Sequence, residues 1–170
     1  MIEGLDAGHG RSPGGSGKLF PDATLVTPEG TSVSFDSYRP RWDLVVLMLG
    51  AGAIDETVTK LLTMLAGARA EIEAEGGKVL VVATNDPERE PGEWEWPFPL
   101  LIDSDAVLHR RIGAVDRSGQ PTVALYITDR YREIFTALRP DGAEWPVSSR
   151  DVLRWLDFVN IQCPECGAPE

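Results

Sequence analysis

An α/β architecture, with helices on both faces of a mixed central sheet and a β-hairpin at its N-terminal side, is the reading that three features of the chain support. Two continuous apolar runs, DLVVLMLG (43–50) and KVLVVAT (78–84), have the pattern of strands buried on both faces. Between them lies one stretch with the 3.6-residue periodicity of an amphipathic helix, so strand, helix and strand form a right-handed crossover with parallel strands. Downstream, PTVALYIT (121–128) and REIFTAL (132–138) form an antiparallel pair around Asp129–Tyr131.

The elements follow in order. ATLVT (23–27) and TSVSF (31–35) flank Pro28-Glu29-Gly30, a turn sequence between two short alternating strands. After the first apolar run, Asp55 is placed to cap a helix. That helix is expected to be single, about twenty residues long, with Val58, Leu61, Leu62, Leu65 and Ala68 on one face, and to end at Gly76-Gly77. After the second run, the prolines at 87, 91, 97 and 99 exclude a regular helix through NDPEREPGEWEWPFP. Leu100 to Ile102 is a short extended segment. Ser104 or Asp105 is expected to start a helix over Ala106–Ile112, closed by Gly113. Ser148 and Asp151 have capping-box spacing and open a final helix that turns Val152, Leu153, Leu156 and Val159 inward.

The 170 residues suffice for one domain with its own core. The expected organisation is a Gly/Ser-rich leader over 1–18, a folded domain over 19–160 and a tail over 161–170. A formal charge of -11 argues against sequence-independent binding to nucleic acid or to anionic membranes, because phosphate affinity needs clustered Lys and Arg. No apolar run approaches the ~20 residues that span a bilayer. With no apolar leader segment and only two cysteines, a cytoplasmic location is expected. GGSGK (14–18) resembles a phosphate loop but fails its pattern: position 12 is Ser, Leu19 follows the lysine and no strand precedes it.

Five segments in order resemble the thioredoxin-fold redoxins, the family of alkyl hydroperoxide reductase and thiol-specific antioxidant proteins, which includes the peroxiredoxins. They are FPDATLVTPEG, VVLMLG, GGKVLVVATND, PFPLLIDSDAVLHRRIGA and PTVALYITDRYREI, and the resemblance covers roughly residues 20–160. It implies a thioredoxin-like fold, and it implies that Pro121 is the family's cis-proline. It also implies a reactive thiol after the first core strand, where helix N–H groups and the macrodipole lower a cysteine pKa. Here that stretch reads LGAGAIDETVTK (49–60). Thr57 takes the peroxidatic position and Ile54 that of the preceding threonine. In a thioredoxin alignment Glu56 and Thr59 take the two thiol positions. Neither alignment supplies a sulfur. A threonine hydroxyl attacks only with an activating base beside it, and Asp55 and Glu56 bring negative charge where an oxyanion would develop. Ordinary peroxidase activity is therefore not expected.

The cysteines are Cys163 and Cys166, spaced Cys-Pro-Glu-Cys. Three readings stand. The first is a redox pair that exchanges disulfides with a protein partner, since two-residue spacing lowers thiol pKa values; against it, no helix follows the first cysteine. The second is one knuckle of a zinc site, two thiolates from each of two chains completing a four-thiolate set in a homodimer, with His9 and His109 as further ligands although each reads as a surface residue. The third is an inert tail. Trp42 and Trp155 read as core. Trp94 and Trp96 read either as an aromatic wall beside the helix start or as packing over a loop.

Overall fold

The computed structural model describes residues 17–52, 54–85, 94–140 and 147–162. At its centre lies β3 (Asp43–Met48), buried at every position and hydrogen-bonded on both sides. Its continuous apolar run serves two cores. Val45 and Leu47 point into one, and Leu44, Val46 and Met48 into the other. β4 (Gly77–Ala83) pairs with it in parallel, and β6 (Ala124–Thr128) pairs antiparallel on its other edge. β1 (Thr24–Val26) and β2 (Ser32–Ser34) form the expected N-terminal hairpin. With β5 (Leu100–Ile102) and β7 (Ile134–Leu138) they complete a seven-stranded mixed sheet, in the order β2-β1-β5-β4-β3-β6-β7. The β6–β7 turn is held by Asp129, whose carboxylate accepts the N–H groups of Tyr131 and Glu133. Gly17–Leu19 lie along the start of β7: Ile134 N–H donates to Lys18 O, and Leu19 bridges Glu133.

The crossover differs from one continuous helix. α1 (Glu56–Gly67) stops at Gly67, and α2 (Arg69–Ala74) resumes after Ala68, which sits at φ -95° and ψ 3°. Glycine is the weakest helix former after proline, so the break falls where propensity is lowest. Gly76, in the left-handed region at φ +81°, then turns the chain into β4. α2 packs Ile72 against Gly77. A Cβ on Gly77 would lie 2.8 Å from Ile72 Cγ2 and from Leu156 Cδ1, and 3.1 Å from Ile72 O. Both side chains are fully buried and have little room to yield. Gly77→Ala is therefore expected to destabilise the protein by about 1–3 kcal/mol, measured by urea denaturation; an unchanged midpoint would contradict this packing.

α4 (Ser149–Ile161) opens with the predicted capping box: Ser148 Oγ accepts from Asp151 N–H, and Asp151 Oδ2 accepts from Ser148 N–H. α1, α2 and α4 cover one sheet face, burying Leu61, Leu62, Leu65, Ile72, Val152, Leu156 and Val159. α3 (Val107–Ile112) covers the other with Phe20, Phe35 and Tyr126. Trp42 and Trp155 are half-buried at the core margin rather than inside it. Among the described residues no helix is long and apolar enough to cross a membrane.

Candidate functional site

β3 and β4 are parallel, so both end at the same rim of the sheet, where open α/β sheets place their sites. Beyond β3 the chain turns through Gly50, Ala51 and Gly52 before α1. This turn passes close to Pro121. Ala51 N–H donates to Pro121 O at 3.3 Å, and a Cβ on Gly50 would stand 3.3 Å from that same oxygen and 3.5 Å from Thr122 Cα. The turn that precedes α1 and the Pro121 segment therefore meet. Between them is a small cavity of about 70 Å³, lined by the Leu49–Gly52 turn, Ile54, Asp55, Val58, Ala83, Asn85 and Val123. None of these residues carries a thiol.

Asp55 caps α1 as its sequence position predicted: its Oδ1 accepts from Val58 N–H at 2.8 Å. The remaining expected site residues serve the helix. Glu56 is exposed and pairs with Lys60 at 2.8 Å, a hydrogen bond and charge that hold its carboxyl below the usual range. Thr59 is exposed, and its hydroxyl donates to Asp55 O within the same turn. Thr57 is half-buried, and Ile54 packs against the core from the cavity side. Cys163, Cys166 and His9 lie outside the described residues.

Three expectations need correction. Pro121 is not cis; among the described residues the cis bond is Arg39–Pro40. Asp116 builds a tight turn by accepting the N–H groups of Ser118 and Gln120 and donating its own to Gln120 O, and this turn delivers Pro121 already extended into its bridge with Val115. The missing N–H of Pro121 costs nothing there in either isomer. Secondly, neither Ser104 nor Asp105 caps α3. Asp103 does, accepting from Leu108 N–H at 3.2 Å and from His109 N–H at 3.0 Å. Thirdly, His109 is not a surface residue. It is fully buried, and both ring nitrogens are occupied: Nδ1 by Asp103 Oδ2 and Nε2 by Leu49 O, each at 2.8 Å. A histidine committed at both nitrogens has no lone pair to offer zinc. Burial pushes the Asp103 carboxyl up, but the hydrogen bonds from the His109 ring, His109 N–H and Leu108 N–H outweigh it and hold the carboxyl below the usual carboxylate range.

The His109–Asp103 pair was the feature missed in the sequence. Its one local sign was a histidine set in the apolar stripe Leu108–Ile112, six residues after an aspartate that ends a buried strand. Trp94 and Trp96 pack against the α1/α4 core; Trp94 Nε1 donates to Phe98 O, while Trp96 Nε1 is buried with no acceptor among the described residues.

Comparison with known proteins agrees with this geometry. No curated protein sequence matches the chain. AhpC from Mycobacterium tuberculosis superposes with a TM-score of 0.69 at 19% identity, over 89% of this chain and 97% of that one. Peroxidoxin BcpB from the same organism gives 0.67 at 18% identity, over 88% and 98%. Peroxiredoxin Q from Xanthomonas campestris gives 0.62 at 19% identity, over 84% and 96%. At such identities the likeness speaks for a shared thioredoxin-like fold. The family model described as AhpC/TSA matches residues 16–136, most of the chain and all of the sheet from β1 to the middle of β7. With the order of strands and that match together, the chain belongs to the AhpC/TSA family.

Proposed function

We propose that this chain is a redoxin whose helix-front cavity performs no thiol chemistry, and that its reaction is dithiol–disulfide exchange through Cys163 and Cys166. The observation that carries this reading is the chemistry of the cavity lining, which has a capping carboxylate, apolar groups and an amide but no sulfur. The only two thiols of the chain stand in a spacing that exchange chemistry uses. In the proposed step the Cys163 thiolate attacks one sulfur of a partner protein's disulfide and expels the other as a thiolate, which takes a proton. The Cys166 thiolate then attacks the Cys163 sulfur and releases the partner's second thiol. The partner gains two electrons, and the chain ends as a Cys163–Cys166 disulfide. A cytoplasmic setting would keep the pair reduced between turnovers.

The end of α4 supports a dithiol that works apart from the cavity. Asn160 Nδ2 donates to Glu75 O at 2.6 Å, just before β4 begins, whereas the cavity lies where β3 and β4 end. Six strand residues of ~3.3 Å separate the two levels by about 20 Å. Gln162, which caps α4, is the residue before Cys163 in the sequence.

The test is equilibration against a glutathione buffer. A Cys163–Cys166 potential between about -180 and -270 mV supports exchange. Cys163→Ser and Cys166→Ser should each abolish disulfide reduction in a protein substrate, and Thr57→Ala should leave it unchanged. Zinc retained at one ion per two chains would replace the reading with an intersubunit thiolate site. Neither outcome would leave a binding module that keeps the fold without the reaction. Hydrogen peroxide consumption lost on Thr57→Ala would overturn the proposal outright.

A further inference from the structure

The His109 ring has an acceptor at each nitrogen. Leu49 O is a carbonyl, and Asp103 is kept ionised by three hydrogen bonds. A neutral imidazole carries one N–H and can serve only one of them. Both 2.8 Å contacts can be hydrogen bonds at once only if both nitrogens carry a proton, the state in which the ring is an imidazolium paired with a carboxylate.

The acceptor at Nε2 belongs to the candidate site. Leu49 N–H is tied to β4, donating to Val82 O at 2.8 Å. The Leu49 carbonyl starts the Gly50–Gly52 turn that runs past Pro121 O. We propose that His109, held as an imidazolium by Asp103, is the positioning residue of the cavity: it fixes the Leu49 peptide and with it the Gly50–Gly52 turn. If the ring loses a proton, the carboxylate, the stronger acceptor, keeps the Nδ1 N–H. The bare Nε2 lone pair then faces a carbonyl oxygen at 2.8 Å, and the Leu49 peptide has to turn away. The cavity floor thus takes one of two positions according to the charge on a ring that does not touch solvent.

The charged surroundings leave this assignment to Asp103. β3 brings only the carbonyl. On the ring's own helix Arg110 and Arg111 are exposed, the latter donating to Asp22 O. Tyr126 of β6 spends its hydroxyl on Ile112 O. The role of His109 is independent of the cysteines and stands or falls whether or not they exchange disulfides.

The test is nitrogen-15 NMR of the full chain with pH, repeated with Cys163→Ser and Cys166→Ser in place. Two slowly exchanging ring N–H signals are expected for His109 at neutral pH. On raising the pH the Nε2 signal should vanish, and the amides of Gly50, Ala51 and Val123 should shift over the same interval. Asp103→Asn should move that transition to lower pH. His109→Gln, which keeps a donor but does not titrate, should retain the fold and lose the pH-linked shifts. A single ring N–H throughout, or a ring that titrates while the Gly50–Ala51 amides stay still, overturns the proposal. The wild-type result decides it even if a variant does not fold.

Discussion

Asp43→Asn should make this protein more stable at pH 7. Asp43 opens β3 with 3% of its surface exposed, its N–H bonded to Gly76 O. Burial pushes its carboxyl up, Arg130 opposes this, Asp129 adds to it and a hydrogen bond from the Arg130 backbone opposes it; the result is about 6 against an ordinary 3.8. The folded state therefore holds the proton more tightly than the unfolded chain does. Stability from this group is full below pH 3.8, falls as the pH rises to about 6 and stays low above it. The ionised form costs about 3 kcal/mol. Asparagine has the shape of the protonated form and still accepts from the Arg130 backbone. The expected gain at pH 7 is up to about 3 kcal/mol, or roughly 5–10 °C in Tm for a chain of this size. Near pH 4 variant and wild type should melt together. Equal Tm values at pH 7, or a gain that persists unchanged at pH 4, would show that the Asp43 carboxylate is not penalised.

Asp103→Ala should have the largest destabilising effect among the substitutions considered. One carboxylate caps α3 through two backbone N–H groups and contacts a fully buried ring nitrogen. With the ring held as the imidazolium proposed above, removing the carboxylate leaves a buried cation without its partner, a loss of about 3–5 kcal/mol in comparable settings. The sign with pH is opposite to that of Asp43. The Asp103 carboxyl is held below its ordinary range, so its contribution is present above that range and is lost as the solution is acidified through it. Urea denaturation at pH 7 should show a lower midpoint with an unchanged m-value. A loss under about 1 kcal/mol would mean that the contact between His109 and Asp103 carries little energy.

These two aspartates also show where reading the sequence stops. The strands were legible because burial on both faces leaves a continuous apolar run, as at 43–48 and 79–83. The caps at Asp55 and Ser148 were legible because a cap and its N–H lie three residues apart. The cap of α3 was not, since Ser104, Asp105 and Asp103 are equally good types and only the left-handed turn at Ala106, φ 52°, swings the helix start back onto Asp103. The helix break at Ala68 was hidden too, because both pieces share one apolar face. For the site, the lack of a thiol after the first core strand was legible once the family resemblance had marked that stretch. The trans geometry of Pro121 depends on the Asp116 turn and was not.

The amino-acid sequence by itself determined the strands, the caps of α1 and α4 and the absence of any sulfur between Leu49 and Lys60, because each is written in residues within a few positions of one another. The tertiary structure alone decided which polar groups are buried and which partners they meet. His109 is an internal ring rather than a surface ligand because its two acceptors come from different elements, one of them 60 residues away at the end of β3. A side chain's local sequence does not encode the field in which it will be held; that field exists only when the sheet has brought β3, β5 and α3 together.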